Sequence, residues 1–208
     1  MKFYDREIIH CDSHLLVAVK RAGEVVQPDL HEELRRWIAL RFEKPGRAFL
    51  EPIHRLDKPV TGLVLFARTS KALSRLNASL QNREIHKTYF ARVEGYVERE
   101  EAVLDHFLRH GSFRAEVVPQ GDPGAKRARL SYTVVERSRR SSLLKVKIET
   151  GRYHQIRAQL GWIGHPIRGD GKYGSSLSSD RIALHHAEIA LKHPVTQEPL
   201  IFLSSCSI

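Results

Sequence analysis

His54-Arg55-Leu56-Asp57-Lys58-Pro59-Val60-Thr61-Gly62 is the stretch on which the interpretation of this chain turns. It sets one carboxylate, Asp57, among basic residues and ahead of a proline and a glycine. The apolar run Leu63-Val64-Leu65-Phe66-Ala67 follows at once, as a buried strand would. A loop aspartate usually caps a turn or a helix. The case for chemistry comes from a second block about a hundred residues on, Thr150-Gly151-Arg152-Tyr153-His154-Gln155-Ile156-Arg157. That block runs into Ile163-Gly164-His165-Pro166-Ile167-Arg168-Gly169-Asp170-Gly171-Lys172-Tyr173-Gly174. If the backbone is extended at residues 55–57, Arg55 and Asp57 project from the same face. Thr61 and Gly62 let the backbone come close to a ligand.

Periodicity outward from these blocks predicts strands at 15–19, 63–67, 88–94, 129–136, 143–149 and 184–191. It predicts a helix over 29–42 with Leu30, Leu34, Trp37 and Ile38 on one face. A second helix, capped by Thr69 or Ser70, carries Leu73, Leu76 and Leu80 inward. A short third helix carries Ile156, Leu160 and Ile163. Lys44-Pro45-Gly46 reads as a turn. Gly121-Asp122-Pro123-Gly124 reads as the tip of a mobile hairpin or loop that closes on a ligand. The sum is an α+β domain rich in sheet. At 208 residues it is expected to form one domain, 1–208, with enough core to need no staple.

The formal net charge of +10 is a statement about partners rather than fold. Between Arg109 and Lys147 there are ten Lys or Arg against three acids, Glu116, Asp122 and Glu136. Such a stripe, which includes Lys126, Arg127 and Arg129, is the footprint of a polyanion-binding face. No basic amphipathic helix with an aromatic face is evident, so a membrane surface is not the expected partner. No apolar run approaches the ~20 residues needed to span a bilayer. The two cysteines, Cys11 and Cys206, form no motif and fit a reducing compartment. His106 and His110 have the i,i+4 spacing of two ligands on a helix, but no H-E-x-x-H accompanies them. No metal site is expected, and there is no P-loop or dinucleotide fingerprint.

The two blocks resemble those of the RluA-type RNA pseudouridine synthases, whose pattern is H-R-L-D-x-x-T-S-G, then T-G-R-x-H-Q-I/L-R and G-H-P-I-x-G-D-x-x-Y-G. Leu15 to Gly23 is similar to the family's L-L-V-V-N-K-P-x-G, and Lys87-Thr88-Tyr89 to its K-x-Y. Leu184-His185-His186-Ala187 and His193-Pro194-Val195-Thr196 are similar to its closing motifs, so the resemblance spans nearly the whole chain. Three positions depart: Val60-Thr61-Gly62 stands for T-S-G, Arg21 for the proline of K-P-x-G, and Gln159 for a histidine. None removes an expected catalytic group. Many relatives carry a small N-terminal RNA-binding domain, which this chain is expected to lack.

The resemblance implies the pseudouridine synthase fold, with a mixed, mostly antiparallel sheet and flanking helices and loops. It implies an enzyme of rRNA or tRNA that needs no cofactor; the reducing compartment points to the cytoplasm, and a monomer is the default expectation. Asp57 is then the essential carboxylate, acting on the sugar either as nucleophile or as base toward a ribose proton. Arg157 keeps that carboxylate ionised and aimed. Tyr89 stacks on the uracil and handles its C5 proton. Arg55 either fills the space left by a flipped nucleotide or forms a structural ion pair with Asp57. His54, Thr61, Gly62, Arg152, His154 and Gln155 complete the expected RNA contacts, together with Lys126, Arg127 and Arg129. The alternative is an RNA-binding protein that keeps the fold without turnover, for which Asp57 would have no chemical use. A metal-dependent nucleic-acid hydrolase would want paired carboxylates near Asp57, and none is evident.

Overall fold

The computed structural model describes residues 6–43, 48–205 and 208. The predicted turn at Lys44-Pro45-Gly46, and Cys206, lie outside the described residues. In chain order the elements begin with β1 (Ile8–Cys11), β2 (Leu15–Lys20), α1 (His31–Arg41), β3 (Glu51–Pro52), β4 (Thr61–Ala67) and α2 (Ser70–Gln81). They continue with β5 (His86–Glu94), β6 (Glu101–His110), β7 (Ala115–Val118), β8 (Lys126–Arg137), β9 (Ser141–Ile148) and α3 (Gln155–Trp162). β10 (Leu184–Lys192) and β11 (Pro199–Leu203) close the chain. The architecture is α+β with mostly antiparallel pairing, as the resemblance implied.

Two compact units are present, residues 1–85 with 186–205, and residues 86–185 with 206–208. In the first, the strand order is β1-β2-β4-β10, with β3 beside β4 and β11 beside β10. Continuous burial along β4, from Gly62 to Ala67, follows from its place between β2 and β10. Leu63, Leu65 and Ala67 on one face join Leu15, Val17, Ile189, Leu191 and Phe202. Helix α2 seals this core with Ala72 and Leu76, and Thr69 caps it by accepting the Ala72 N–H at 3.1 Å. Leu73 and Leu80 pack at its edge. Helix α1 starts two residues later than the sequence predicts, after a turn at Val26–Leu30, and Trp37 is only half-buried.

The second unit is an antiparallel run β5-β9-β8-β6-β7. The strands predicted at 88–94, 129–136 and 143–149 all occur there, each longer or shifted by a few residues. Helix α3 is buried from Gln155 through Leu160, too uniformly for an amphipathic surface helix. Its Ala158 lies in a small cluster with Leu108, Ala115 and Ala128 of β6, β7 and β8. Gln159, which replaces the family histidine, is fully buried. Its amide nitrogen lies 3.2 Å from Leu104 O, 3.1 Å from Ala128 O and 3.1 Å from His106 Nδ1, which braces the helix on the sheet. The Gly121-Asp122-Pro123-Gly124 turn joins β7 to β8, where Arg109 donates to Asp122 at 2.9 Å.

Candidate active site and RNA-binding surface

The candidate catalytic side chains are divided between the units: Asp57 in the first, Tyr89 and Arg157 in the second. Asp57 sits in the irregular segment that leads into β4. Its carbonyl accepts the Val60 N–H at 3.0 Å, closing a turn over Lys58-Pro59. Leu56 is buried, while Arg55 before it is exposed and Asp57 after it half-buried. That alternation places Arg55 and Asp57 on the side opposite the core. Among the described residues Arg55 forms no ion pair, so the structural-pair alternative fails. His54 Nε2 accepts from Leu65 N at 3.3 Å, and the His54 ring meets His186 edge-on at 5.2 Å.

Gly62 explains why this loop ends as it does. A Cβ there would lie 2.3 Å from the His186 carbonyl oxygen and 2.5 Å from its nitrogen, at a φ of +119°. No L side chain fits that space, so β4 and β10 approach directly behind the Asp57 turn. Thr61, the first residue of β4, is half-buried beside it.

Lys20, quoted in the sequence only as part of a motif, proves to be a fully buried cation in this region. Its ammonium donates to Arg21 O at 2.8 Å and Lys58 O at 3.1 Å, tying β2 to the Asp57 turn. Burial pulls its pKa down to about 8, while the negative charges of Glu24 and Asp57 oppose that fall. Lys58 O also accepts the Gly23 N–H at 2.9 Å, so one carbonyl anchors two segments.

In the second unit Arg157 lies on α3 with only 4% of its surface exposed. Its Nε and Nη2 reach the two carboxylate oxygens of Asp170 at 2.7 and 2.9 Å. This two-point fork fixes the guanidinium plane, and the Tyr173 ring lies 5.2 Å from its centre. Asp170 is held in turn: its carbonyl accepts from Tyr173 N at 3.0 Å and Ser175 N at 3.1 Å. Sequence reasoning gave Asp170 no role. Tyr89 is 7% exposed on β5, directly across from Val146 of β9.

The turn before α3 is built by Gln155. Its Oε1 accepts from Thr150 Oγ1 at 2.7 Å and Arg152 N at 3.0 Å, and its Nε2 donates to Arg129 O at 3.1 Å. Gln155 is therefore a brace, with its amide spent inside the protein. His154 takes a left-handed φ of +52° and stacks between Tyr153, at 3.8 Å, and Tyr173, which it meets edge-on at 5.7 Å. Its Nδ1 lies 2.9 Å from the Tyr173 hydroxyl. Burial, then repulsion from Arg157 and Lys172, pulls its pKa down to about 3, so it is neutral at pH 7.

Arg152, Lys126 and Arg127 are exposed, and Arg129 is half-exposed. Sheet pairing changes the electrostatic count made from sequence. Antiparallel register sets Asp105 of β6 opposite Arg129, and Asp105 pairs with Arg127 at 2.5 Å. Glu149 pairs with Arg129 at 2.9 Å. Lys126 and Arg152 have no such carboxylate among the described residues. His106 and His110 lie on strand β6 rather than on a helix, which spreads them ~13 Å apart. Among the described residues no group of three or more His, Cys, Asp or Glu is placed to hold a metal ion, and no helix is long and apolar enough to cross a membrane.

The profile of the family described as RNA pseudouridylate synthase matches residues 14–162. The ribosomal large subunit pseudouridine synthase C of Vibrio vulnificus (strain CMCP6) is 32% identical over 203 residues, covering 93% of this chain and 63% of that protein. The ribosomal large subunit pseudouridine synthase D of Pseudomonas aeruginosa is 36% identical over 209 residues, covering 91% of this chain and 65% of that protein. The tRNA pseudouridine synthase C of Vibrio cholerae is 32% identical, covering 94% of this chain and 88% of that protein. The chain thus spans just under two thirds of these two ribosomal relatives. Among solved structures, Human RNA Pseudouridylate Synthase Domain Containing 4 superposes with a TM-score of 0.82 at 22% identity, over 96% of this chain and 88% of that one. That likeness is one of fold.

Proposed function

Because the chain belongs to the RNA pseudouridylate synthase family, we propose that it isomerises a specific uridine of an rRNA or tRNA to pseudouridine, with Asp57 as the essential carboxylate. The profile match spans Asp57, Tyr89 and Arg157 together, and that observation carries the proposal. A protein that only bound RNA would gain nothing from a carboxylate, which repels phosphate.

The reaction breaks the bond from uracil N1 to the ribose C1′ and forms one from C5 to the same carbon. N1 takes up a proton and C5 releases one, so no atom is gained or lost and no redox step occurs. Asp57 supplies an ionised carboxylate to the sugar. Tyr89, buried on β5, presents a ring to the base and a phenol for the C5 proton. Arg157 matches the arginine that the family pattern assigns to keeping the carboxylate charged, and Asp170 sets the plane of its guanidinium. A uridine stacked in a helix cannot reach a half-buried aspartate, so the nucleotide must be extruded. Exposed Arg55, unpaired with any acid among the described residues, is suited to fill the vacated stack. His54, Thr61 and Gly62 shape the loop around Asp57. Arg152, Lys126, Arg127 and Arg129 offer charge to the RNA backbone, while His154 and Gln155 hold the Arg152 turn in place.

The test is a pseudouridine map of total RNA from cells with and without the gene, repeated with the gene restored as Asp57→Asn. Loss of a site that only the unaltered gene restores is expected. Full restoration by Asp57→Asn would refute the assignment of Asp57.

A further inference from the structure

Lys87 is a half-buried cation that no carboxylate among the described residues compensates. It lies on β5 two residues before Tyr89, so both side chains leave the same face, about 6.6 Å apart along the strand. Their cross-strand partners on that face are Ile148 and Val146 of β9, and beyond them Leu130 and Tyr132 of β8. The ammonium therefore ends an apolar and aromatic row. Among the described residues no carboxylate pairs with it and no hydrogen-bond acceptor meets it. Glu149, the acid that follows β9, is committed to Arg129. Burial depresses the pKa of Lys87, and no neighbouring charge opposes the fall.

The more deeply buried Lys20 and Arg157 differ. Lys20 has two carbonyls and Arg157 has Asp170. An unpaired desolvated charge costs stability, and the cheap solution would be a neutral side chain. Gly151 adds a second observation. A Cβ there would sit 3.8 Å from Lys87 Nζ, in ordinary contact, so the ammonium reaches the exposed turn that carries Arg152. A cation with no carboxylate partner, at an exposed turn, beside an aromatic ring, calls for an anion from outside.

We propose that Lys87 Nζ, at the exposed turn of Gly151, is the binding site for one phosphate of the RNA strand, adjoining the nucleotide whose base meets Tyr89. This deepens the function proposed above and rests on RNA being the ligand. The two-residue offset between Lys87 and Tyr89 suits a base and a nearby phosphate of one strand. The contact positions the nucleotide and takes no part in bond making.

The experiment compares wild type with Lys87→Met and Lys87→Arg. Without RNA, Lys87→Met is expected to melt about 2–4 °C higher at pH 7, because a desolvated charge is gone. The sign follows from linkage. Below its lowered folded pKa, Lys87 carries a proton the fold disfavours, so the gap between variant and wild type is full there. The gap closes as pH rises toward the unfolded value of 10.5. With fluorescein-labelled oligouridylate, Lys87→Met should bind about tenfold more weakly. The slope of log K against log salt should be shallower by about 0.7, the share of one phosphate on a single strand. Turnover on bulk RNA from cells lacking the gene should show KM raised and kcat nearly kept. Lys87→Arg should keep the wild-type slope.

A lower melting temperature in Lys87→Met, or failure to fold, would overturn the premise that the charge is uncompensated. Unchanged affinity and slope in a variant that melts normally would overturn the phosphate site alone. If wild type bound neither oligouridylate nor bulk RNA, the RNA function itself would fall, and this site with it.

Discussion

Asp170→Asn tests how far the arginine in this site depends on its buried partner. In the native fold Arg157 Nε and Nη2 meet the two Asp170 oxygens at 2.7 and 2.9 Å, and the two side chains are 5% and 1% exposed. An asparagine keeps one acceptor and turns an amide NH2 toward the guanidinium, so one arm of the fork becomes a clash of donors. Breaking a buried pair from one side costs about 3–5 kcal/mol, since the other charge stays desolvated. In a chain of 208 residues each kcal/mol lowers Tm by about 2–4 °C, so a fall of about 10 °C is expected. Far-UV circular dichroism melts and urea titration measure it. Arg157→Met completes a double-mutant cycle: with the charge already absent, Asp170→Asn should cost little, giving a coupling of about 2 kcal/mol or more. Additive effects, or a single variant melting within about 2 °C of wild type, would refute the idea that the fork organises this end of α3.

Gly62→Ala forces a Cβ into the His186 backbone at 2.3 Å and should destabilise by at least about 2 kcal/mol in urea; a neutral result would mean that β4 and β10 can part there. Lys20 has a folded pKa of about 8 against 10.5 unfolded, so the unfolded state binds more protons between these values and stability should rise with pH across that window. The rise attributable to Lys20 is about 3 kcal/mol, read as the difference in urea stability between wild type and Lys20→Met from pH 7 to 10; a flat difference contradicts the burial argument. Asp57→Asn should abolish product while RNA affinity stays within about twofold. Joint replacement of Lys126 and Arg152 by Ala should flatten the salt dependence of RNA binding by up to about 1.5 in slope, whereas Arg127→Ala should change it less because Asp105 already offsets that charge.

The Asp57 loop and the apolar run after it were legible in sequence because each residue's local preference agrees with its place in the fold. Gly62 is read differently by the two: the sequence suggested a backbone close to a ligand, whereas the structure sets the His186 backbone against it. Strand β6 was not legible. Val103, Leu104, Phe107 and Leu108 recur at helical spacing, yet Leu104 and Leu108 are buried and Val103 is 54% exposed. Pairing with β8 from Glu101 to Leu108 overrides the local signal, and it turns His106 and His110 into strand residues far from each other. Asp105 and Glu149 escaped for the same reason. Neither falls inside the basic window read along the chain, but the antiparallel register of β6, β8 and β9 brings both beside it.

The same distinction governs the charges that matter most. A net charge of +10 gives a long-range pull on a polyanion, and a count of residues is enough to see it. Which cations have a local task depends on burial and partners, and only the folded arrangement reveals these. Arg157 is buried and matched by a carboxylate, so its charge is fixed in place for use. Lys20 is buried and matched by carbonyls, so it ties the Asp57 turn to β2 with a charge it can lose near pH 8. Lys87 is half-buried with no carboxylate partner among the described residues, and its desolvated charge is the one the proposed phosphate would offset. All three stand in motifs quoted from the sequence, where a lysine with a partner and a lysine without one look the same.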